Sequence, residues 1–164
     1  MSVLQYLKEE LSHQIIAYHG SHNNFDKFKT YHGGSWFSAD KDLASEYTDT
    51  SYTGKDARIL YTVKLDIKNP YIFDAGGSSF EELHIPELYR SENYDDEDYD
   101  EDAYLEWDYD TDDLLSWALS EGYDSVIIHN VSDAPLNGSL TEPATIYGVG
   151  NPDMIKIIDK KRIH

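Results

Sequence analysis

The chain has 164 residues, 40% of them hydrophobic, and this length is sufficient for one domain with a single core. It contains no cysteine, which excludes disulfides and thiolate metal sites, and no run of about 20 apolar residues that could cross a bilayer. A formal net charge of −19 argues against binding to a nucleic-acid backbone or an anionic membrane and favours a basic partner.

The first third of the chain predicts alternating helices and strands. Apolar residues at helical spacing predict an amphipathic helix over about 2–12. The short apolar run 15–19, followed by a polar turn, predicts a strand, and 36–38 predicts a second one. Asp40 is then a candidate cap for a helix that continues to about residue 48. The first residues lack the basic and then apolar pattern of a signal peptide, so we expect an intracellular, cytoplasmic protein.

The rest of the chain continues this mixed order. Apolar and polar residues alternate over 59–67, the clearest half-buried strand, and Pro70 should end it or bend it away. We further expect short helices at about 79–85 and at 114–119, the second ending at Gly122, and strands at 126–128, 145–149 and 154–158. Strands spread along the chain with helices between them predict an α+β fold, formed by residues 1–164 as one domain.

Two short segments carry most of the candidate chemistry. In residues 18–21 (Tyr-His-Gly-Ser) a histidine ends a strand, and the glycine allows a ligand to approach the backbone closely. Residues 34–40 (Gly-Ser-Trp-Phe-Ser-Ala-Asp) continue into Leu-Ala-Ser-Glu-Tyr at 43–47. At these segments the chain resembles the ADP-ribosyltransferase family, in the branch that includes the poly(ADP-ribose) polymerases and diphtheria toxin, and it is more similar still to small phage-encoded members. The likeness continues through 68–71, 122–126 and 147–156.

The resemblance implies a split mixed or antiparallel β-sheet core with peripheral helices, and NAD as the substrate. It implies that NAD is bound by His19, Gly20, Ser21, Trp36 and Tyr47. In that family the histidine bonds the nicotinamide ribose, and the backbone of the next glycine holds the carboxamide. Two aromatic residues sandwich the nicotinamide ring, at positions that match Trp36 and Tyr47, and stacking suits a flat cation. Taken singly, His19 is more typical of a turn, Trp36 of a core and Tyr47 of helix packing.

One departure from the family bears directly on catalysis. Active relatives usually carry a glutamate at the start of the last core strand, where it stabilises the developing oxocarbenium ion, and this chain has Ile146 there. Similar replacements occur among relatives that transfer a single ADP-ribose and among relatives that catalyse no reaction. Glu142 is the nearest substitute and joins His19 as a predicted catalytic residue, while Asp133 and Asp124 lie further back. The simpler interpretation of Glu142 is a solvated loop carboxylate.

An acidic stretch at about 91–113 resembles an insertion, and no Lys or Arg occurs between Arg90 and Lys156. One interpretation is a flexible solvated loop whose like charges repel. The other is a partner surface, because four tyrosines and Trp107 interleave the carboxylates. A row of carboxylates can imitate a phosphate backbone and occupy a basic nucleic-acid-binding protein.

These patterns support two hypotheses from different classes. The leading one is an NAD-dependent mono-ADP-ribosyltransferase, encoded by a phage or mobile element, that modifies a host protein or nucleic acid and serves in anti-defence or host takeover. NAD hydrolysis without an acceptor would use the same pocket. The rival is a catalytically degenerate, acidic protein that acts as an inhibitor or nucleic-acid mimic. The seven histidines fall at no recognisable zinc spacing, so no metal site is expected.

Overall fold

The computed structural model describes residues 15–29, 34–48, 58–97, 99–134 and 140–163. The helix predicted over 2–12 lies outside these ranges. Within them the chain forms seven strands, namely β1 (Ile15–Ser21), β2 (Ser35–Ser38), β3 (Ile59–Leu65), β4 (Pro70–Asp74), β5 (Ser125–Val131), β6 (Ala144–Val149) and β7 (Ile155–Arg162). The same ranges contain three α-helices, namely α1 (Lys41–Glu46), α2 (Pro86–Asn93) and α3 (Thr111–Ser120).

All seven strands join one mixed sheet in the order β4-β5-β6-β2-β1-β3-β7. The β4–β5 pair is parallel, and the other neighbours are antiparallel. Two apolar clusters cover the sheet, one under α2 and α3 at the β4–β5–β6 end and one around β1, β3 and β7. The predicted α+β fold of the ADP-ribosyltransferase type is therefore confirmed.

The strand β3 forms where the sequence alternates most clearly. Val63 and Leu65 are buried, while Thr62 and Lys64 between them are half-buried. Tyr61 is fully buried and has its polar tip satisfied, because its hydroxyl donates to the Asn23 carbonyl at 2.7 Å. A tyrosine whose hydroxyl is hydrogen-bonded can be buried with only a small loss of free energy of folding.

Helix α1 begins where the sequence predicts, at Asp40. The Asp40 carboxylate accepts from the backbone N–H of Asp42 at 2.8 Å, which satisfies one of the free donors at the helix start. The helix buries Leu43 and Ala44 against the sheet. Its C-terminal cap is Tyr47, so this short helix determines where the Tyr47 side chain lies.

The helix predicted before α2 is wrong, and strand β4 was not predicted. Residues 79–85 form no helix: the backbone of Leu83 pairs with that of Tyr109 in both directions at 2.9 Å, which holds the segment extended. The helix begins only at Pro86, whose ring is compatible with the first helical turn. Strand β3 ends at Leu65, before Pro70, as predicted, but no strand was predicted to begin at Pro70. This proline is the first residue of β4, an edge strand, where its missing N–H removes no necessary ladder bond.

The two ends of the acidic stretch are joined to each other and to the core. Tyr109 is buried, and its hydroxyl donates to the Glu92 carboxylate at 2.7 Å. A short 3₁₀ helix at Ala103–Glu106 and the first turn of α3, which begins at Thr111, lie within the same stretch. The buried Tyr109 ring thus attaches the stretch to the core, while residues 95–97 and 105–108 are exposed to solvent. Within the described ranges, no helix combines the length and apolar content needed to cross a membrane.

Candidate active site

A cavity of about 370 Å³ opens between β1, β2, β6 and α1. It brings together four of the residues that the sequence singled out, His19, Gly20, Trp36 and Tyr47. Ser21 is not among the residues that line it, and its hydroxyl instead accepts from the backbone N–H of Asn23. The convergence arises because β1 and β2 are neighbouring antiparallel strands and α1 follows β2 directly.

His19 is held in the cavity wall by one hydrogen bond and by aromatic contacts. Its Nδ1 lies 2.8 Å from the carbonyl oxygen of Trp36. A carbonyl only accepts, so Nδ1 carries the proton and the neutral ring keeps Nε2 as an acceptor. Burial lowers the pKa of His19, and the bond to Trp36 offsets part of this effect. Phe28 packs edge-on with ring centroids 5.1 Å apart. At neutral pH, His19 therefore presents an acceptor suited to a hydroxyl group.

Gly20 is constrained by helix α1. A Cβ at this position would overlap the carbonyl oxygen of Ala44 and would lie 3.0 Å from Thr48 Cγ2. A side chain here would push α1 away from β1, and Tyr47 would move with it. The glycine was predicted to allow close approach of a ligand; the structure adds close approach of a helix as a reason for it.

The indole ring of Trp36 is fixed on two sides. Its Nε1–H donates to Asp112 Oδ1 at 2.7 Å, a charge-assisted bond that links β2 to the first turn of α3. On the other side, the ring lies against Gly148 of β6, where a Cβ would come within 2.7 Å of Trp36 Cη2. The ring therefore has one orientation, as a wall of the cavity.

Tyr47 contacts a second carboxylate at the cavity. Asp133, which follows β5 and also lines the cavity, is close enough to the Tyr47 hydroxyl to act on its pKa as a hydrogen-bond acceptor. Burial, together with the Asp133 and Glu46 carboxylates, raises the pKa of Tyr47 far above its ordinary value. The phenol is therefore protonated and acts as a donor at physiological pH.

The acidic candidates occupy different places. Ile146 is buried on β6 between Ser38 and Ile128, and it lines the cavity as an apolar group. Glu142 is exposed and is not among the lining residues. Asp124 is not among the lining residues, and its carboxylate accepts hydrogen bonds from the backbone N–H groups of Lys68 and Asn69, just before β4.

Sequence reasoning missed several lining residues. Phe80, Thr111, Asp112 and Ala134 reach the cavity from segments far from residues 18–47, and no local pattern marks them. In the sequence, Asp112 is one carboxylate among the many of the acidic stretch. Among the described residues, no group of three or more His, Asp or Glu side chains is arranged to hold a metal ion.

Comparison with known proteins fits this geometry. The chain belongs to the family described as "ADP-Ribosyltransferase in polyvalent proteins", whose model matches residues 12–163. The match confirms the resemblance seen in the sequence and covers nearly the whole chain. A search of curated proteins found no match. The chain thus carries an ADP-ribosyltransferase domain.

Proposed function

We propose that the protein is an NAD-dependent mono-ADP-ribosyltransferase that modifies a host protein or nucleic acid. The observation that carries this proposal is the convergence of His19, Gly20, Trp36 and Tyr47 on one cavity, although they come from two separate segments. As part of the same proposal, the gene belongs to a phage or mobile element, and the protein acts in the host cytoplasm.

The chemistry of the wall suits the nicotinamide end of NAD. Trp36 and Tyr47 offer aromatic faces, and Asp112 and Asp133 offer negative charge. Among the described lining residues there is no Lys or Arg. A cationic pyridinium ring is favoured in such surroundings, whereas a diphosphate is not. The nicotinamide and its ribose would therefore enter the cavity, with the diphosphate towards solvent.

His19 would then accept a hydrogen bond from a ribose hydroxyl. Its Nε2 is the free acceptor, because Nδ1 is engaged by Trp36. The lowered pKa keeps the ring neutral when NAD binds. The apolar Ile146, at the position of the usual glutamate, supports transfer of one ADP-ribose rather than polymer synthesis.

The test is a calorimetric titration with NAD, followed by an assay for released nicotinamide and for labelled macromolecules. We expect His19→Ala to weaken NAD binding by about 10- to 100-fold, because a buried hydrogen bond is lost. The matched control is His84→Ala, since His84 bonds to Asp108 at 3.0 Å and is not among the described cavity residues.

The outcomes separate the competing functions. Unchanged NAD binding and turnover in His19→Ala would contradict the proposal. Nicotinamide release without any labelled macromolecule would identify an NAD hydrolase. Wild-type protein that binds no NAD would favour the acidic inhibitor, which is supported by Ile146 in the cavity wall and by the exposed carboxylates after α2.

A further inference from the structure

Two carboxylates line the described part of the cavity, and they differ in what they already bind. Asp112 accepts the indole N–H of Trp36 at 2.7 Å, so its charge is engaged in holding that ring. Asp133 also lines the cavity, from the segment after β5. Ile146 gives the wall of β6 no charge. Asp133 is therefore the lining carboxylate that does not hold the Trp36 ring, although it accepts the backbone N–H of Ala134.

Asp133 is held rigidly for a residue outside a strand. Its backbone N–H donates to Thr141 Oγ1 at 3.0 Å, and its carbonyl accepts from the Thr141 N–H at 2.8 Å. The N–H of Ala134 donates to Asp133 Oδ1 at 2.8 Å, and Tyr47 adds its hydroxyl. Such fixed donors orient a carboxylate before substrate binds, as electrostatic catalysis requires.

We propose that Asp133 is a catalytic carboxylate of this cavity, in the role that an acid on β6 would take if Ile146 were not there. The inference rests on the proposed function. As the bond between ribose C1′ and the nicotinamide nitrogen breaks, its electron pair stays with the nicotinamide, which leaves as a neutral molecule. Positive charge moves to C1′ and the ribose ring oxygen, where Asp133 stabilises it. The acceptor then bonds to C1′, and its proton passes to Asp133.

The other acids meet these requirements less well. Glu142 is exposed and is not a lining residue, and both backbone donors that bind Asp124 hold it at the start of β4. Neither of them contacts Tyr47, whereas Asp133 does. The Asp133 carboxylate thus adjoins the ring that is proposed to stack on nicotinamide.

The experiment compares Asp133→Asn with Glu142→Gln, and with Glu121→Gln as the matched control. All three convert a carboxylate into an amide of nearly equal size, and Glu121 is an exposed residue after α3. Asparagine can still accept from Tyr47 and Ala134, so the fold should be kept, which thermal unfolding would check. We expect Asp133→Asn to lower kcat for nicotinamide release by about 10²- to 10³-fold and to weaken NAD binding by less than about tenfold.

A purely structural role would give a different pattern. Tyr47→Phe removes the same hydrogen bond but leaves the Asp133 charge, so it should reduce kcat much less than Asp133→Asn. Asp133→Glu keeps the charge and should recover part of the lost rate. Equal losses in Tyr47→Phe and Asp133→Asn would overturn the inference.

The remaining outcomes distinguish this inference from the proposed function. An active wild-type enzyme in which Asp133→Asn turns over normally would overturn the inference alone. Loss of turnover in Glu142→Gln, with normal turnover in Asp133→Asn, would assign the catalytic role to Glu142 and overturn the inference. A wild-type protein that neither binds NAD nor releases nicotinamide would overturn the inference and the proposed function together.

Discussion

At the scale of single residues, the cavity depends on side chains that are absent as much as on those present. Gly148 has an ordinary strand conformation, so backbone strain does not explain the glycine. Glycine is required here because there is no room for a Cβ atom. A Cβ there would lie 2.7 Å and 2.8 Å from two atoms of the Trp36 ring and 3.0 Å from Val126 Cγ2. These distances are shorter than ordinary van der Waals contacts, so the indole would have to move.

We expect Gly148→Ala to lower the free energy of unfolding by about 1–3 kcal/mol and to weaken NAD binding, because Trp36 is displaced. Gly76→Ala is the control, since Gly76 has φ +60° with open space around it. It should cost about 1 kcal/mol through backbone strain and leave NAD affinity unchanged. Denaturant unfolding and calorimetry measure the two effects; equal NAD affinity in both variants would contradict the assignment of Trp36.

Single residues were predictable from sequence only where a family pattern included them. His19, Trp36 and Tyr47 belong to such a pattern and lie together in the cavity. Asp133 and Asp112 do not, because their positions depend on how distant segments meet. Asp112, which accepts the Trp36 N–H, lies 76 residues further along the chain, and no local sequence pattern predicts that the two side chains meet.

At the scale of elements, helix α3 connects the acidic stretch to the cavity. Its first turn is a capping box, in which the Asp110 carboxylate accepts from the Asp113 N–H at 2.7 Å and the Asp113 carboxylate accepts from the Asp110 N–H at 3.0 Å. Asp112, between them, accepts from Trp36. The capping box therefore holds the backbone of the first turn in place, and with it Asp112, which binds the Trp36 indole.

We expect Asp110→Ala to destabilise the protein by about 0.5–2 kcal/mol through loss of the cap, and also to weaken NAD binding. Asn151→Ala is the matched control, because Asn151 caps the 3₁₀ turn Pro152–Met154 and is not among the cavity residues. Thermal unfolding should show a loss in both variants, and calorimetry a loss of affinity in the first alone. An Asp110→Ala protein with wild-type NAD affinity would show that the cap does not influence the site.

Elements with a strong local signal were predicted well, and those fixed by distant partners were not. The alternation in β3 and the Asp40 cap of α1 are local, and both were predicted. Residues 79–85 were predicted as a helix, but Leu83 is held extended by Tyr109, 26 residues further along. The sequence does not predict the edge strand β4, because a proline is as typical of a strand end as of the first residue of an edge strand.

At the scale of the whole molecule, the net charge of −19 is concentrated on one segment. Asp95, Glu97 and Glu101 are exposed near one another in sequence, and the nearest preceding basic residue is Arg90. Like charges at this density repel within about one Debye length, which is about 10 Å at 0.1 M salt. The compact state should therefore gain stability when salt screens the repulsion.

We expect the melting temperature to rise with sodium chloride, and to rise less in the triple variant Asp95→Asn, Glu97→Gln, Glu101→Gln. A control triple, Glu81→Gln, Glu121→Gln and Asp159→Asn, removes the same charge from exposed positions in three separate segments. Scanning calorimetry at low salt should show the larger stabilisation for the clustered variant. Equal shifts in the two variants would mean that total charge matters and its concentration in one segment does not.

Strand β6 has a consequence for the order of events during synthesis. It lies between β5 and β2, contributing Ile146 to one apolar cluster and Val149 to the other. Until Ala144–Val149 has left the ribosome, the β4–β5 pair has no partner strand through which to join the sheet that contains β1 and β2. The nascent chain therefore carries His19 and Trp36 without the wall that encloses them. The cavity can therefore be completed only after strand β6 has been synthesised, whatever has folded before it.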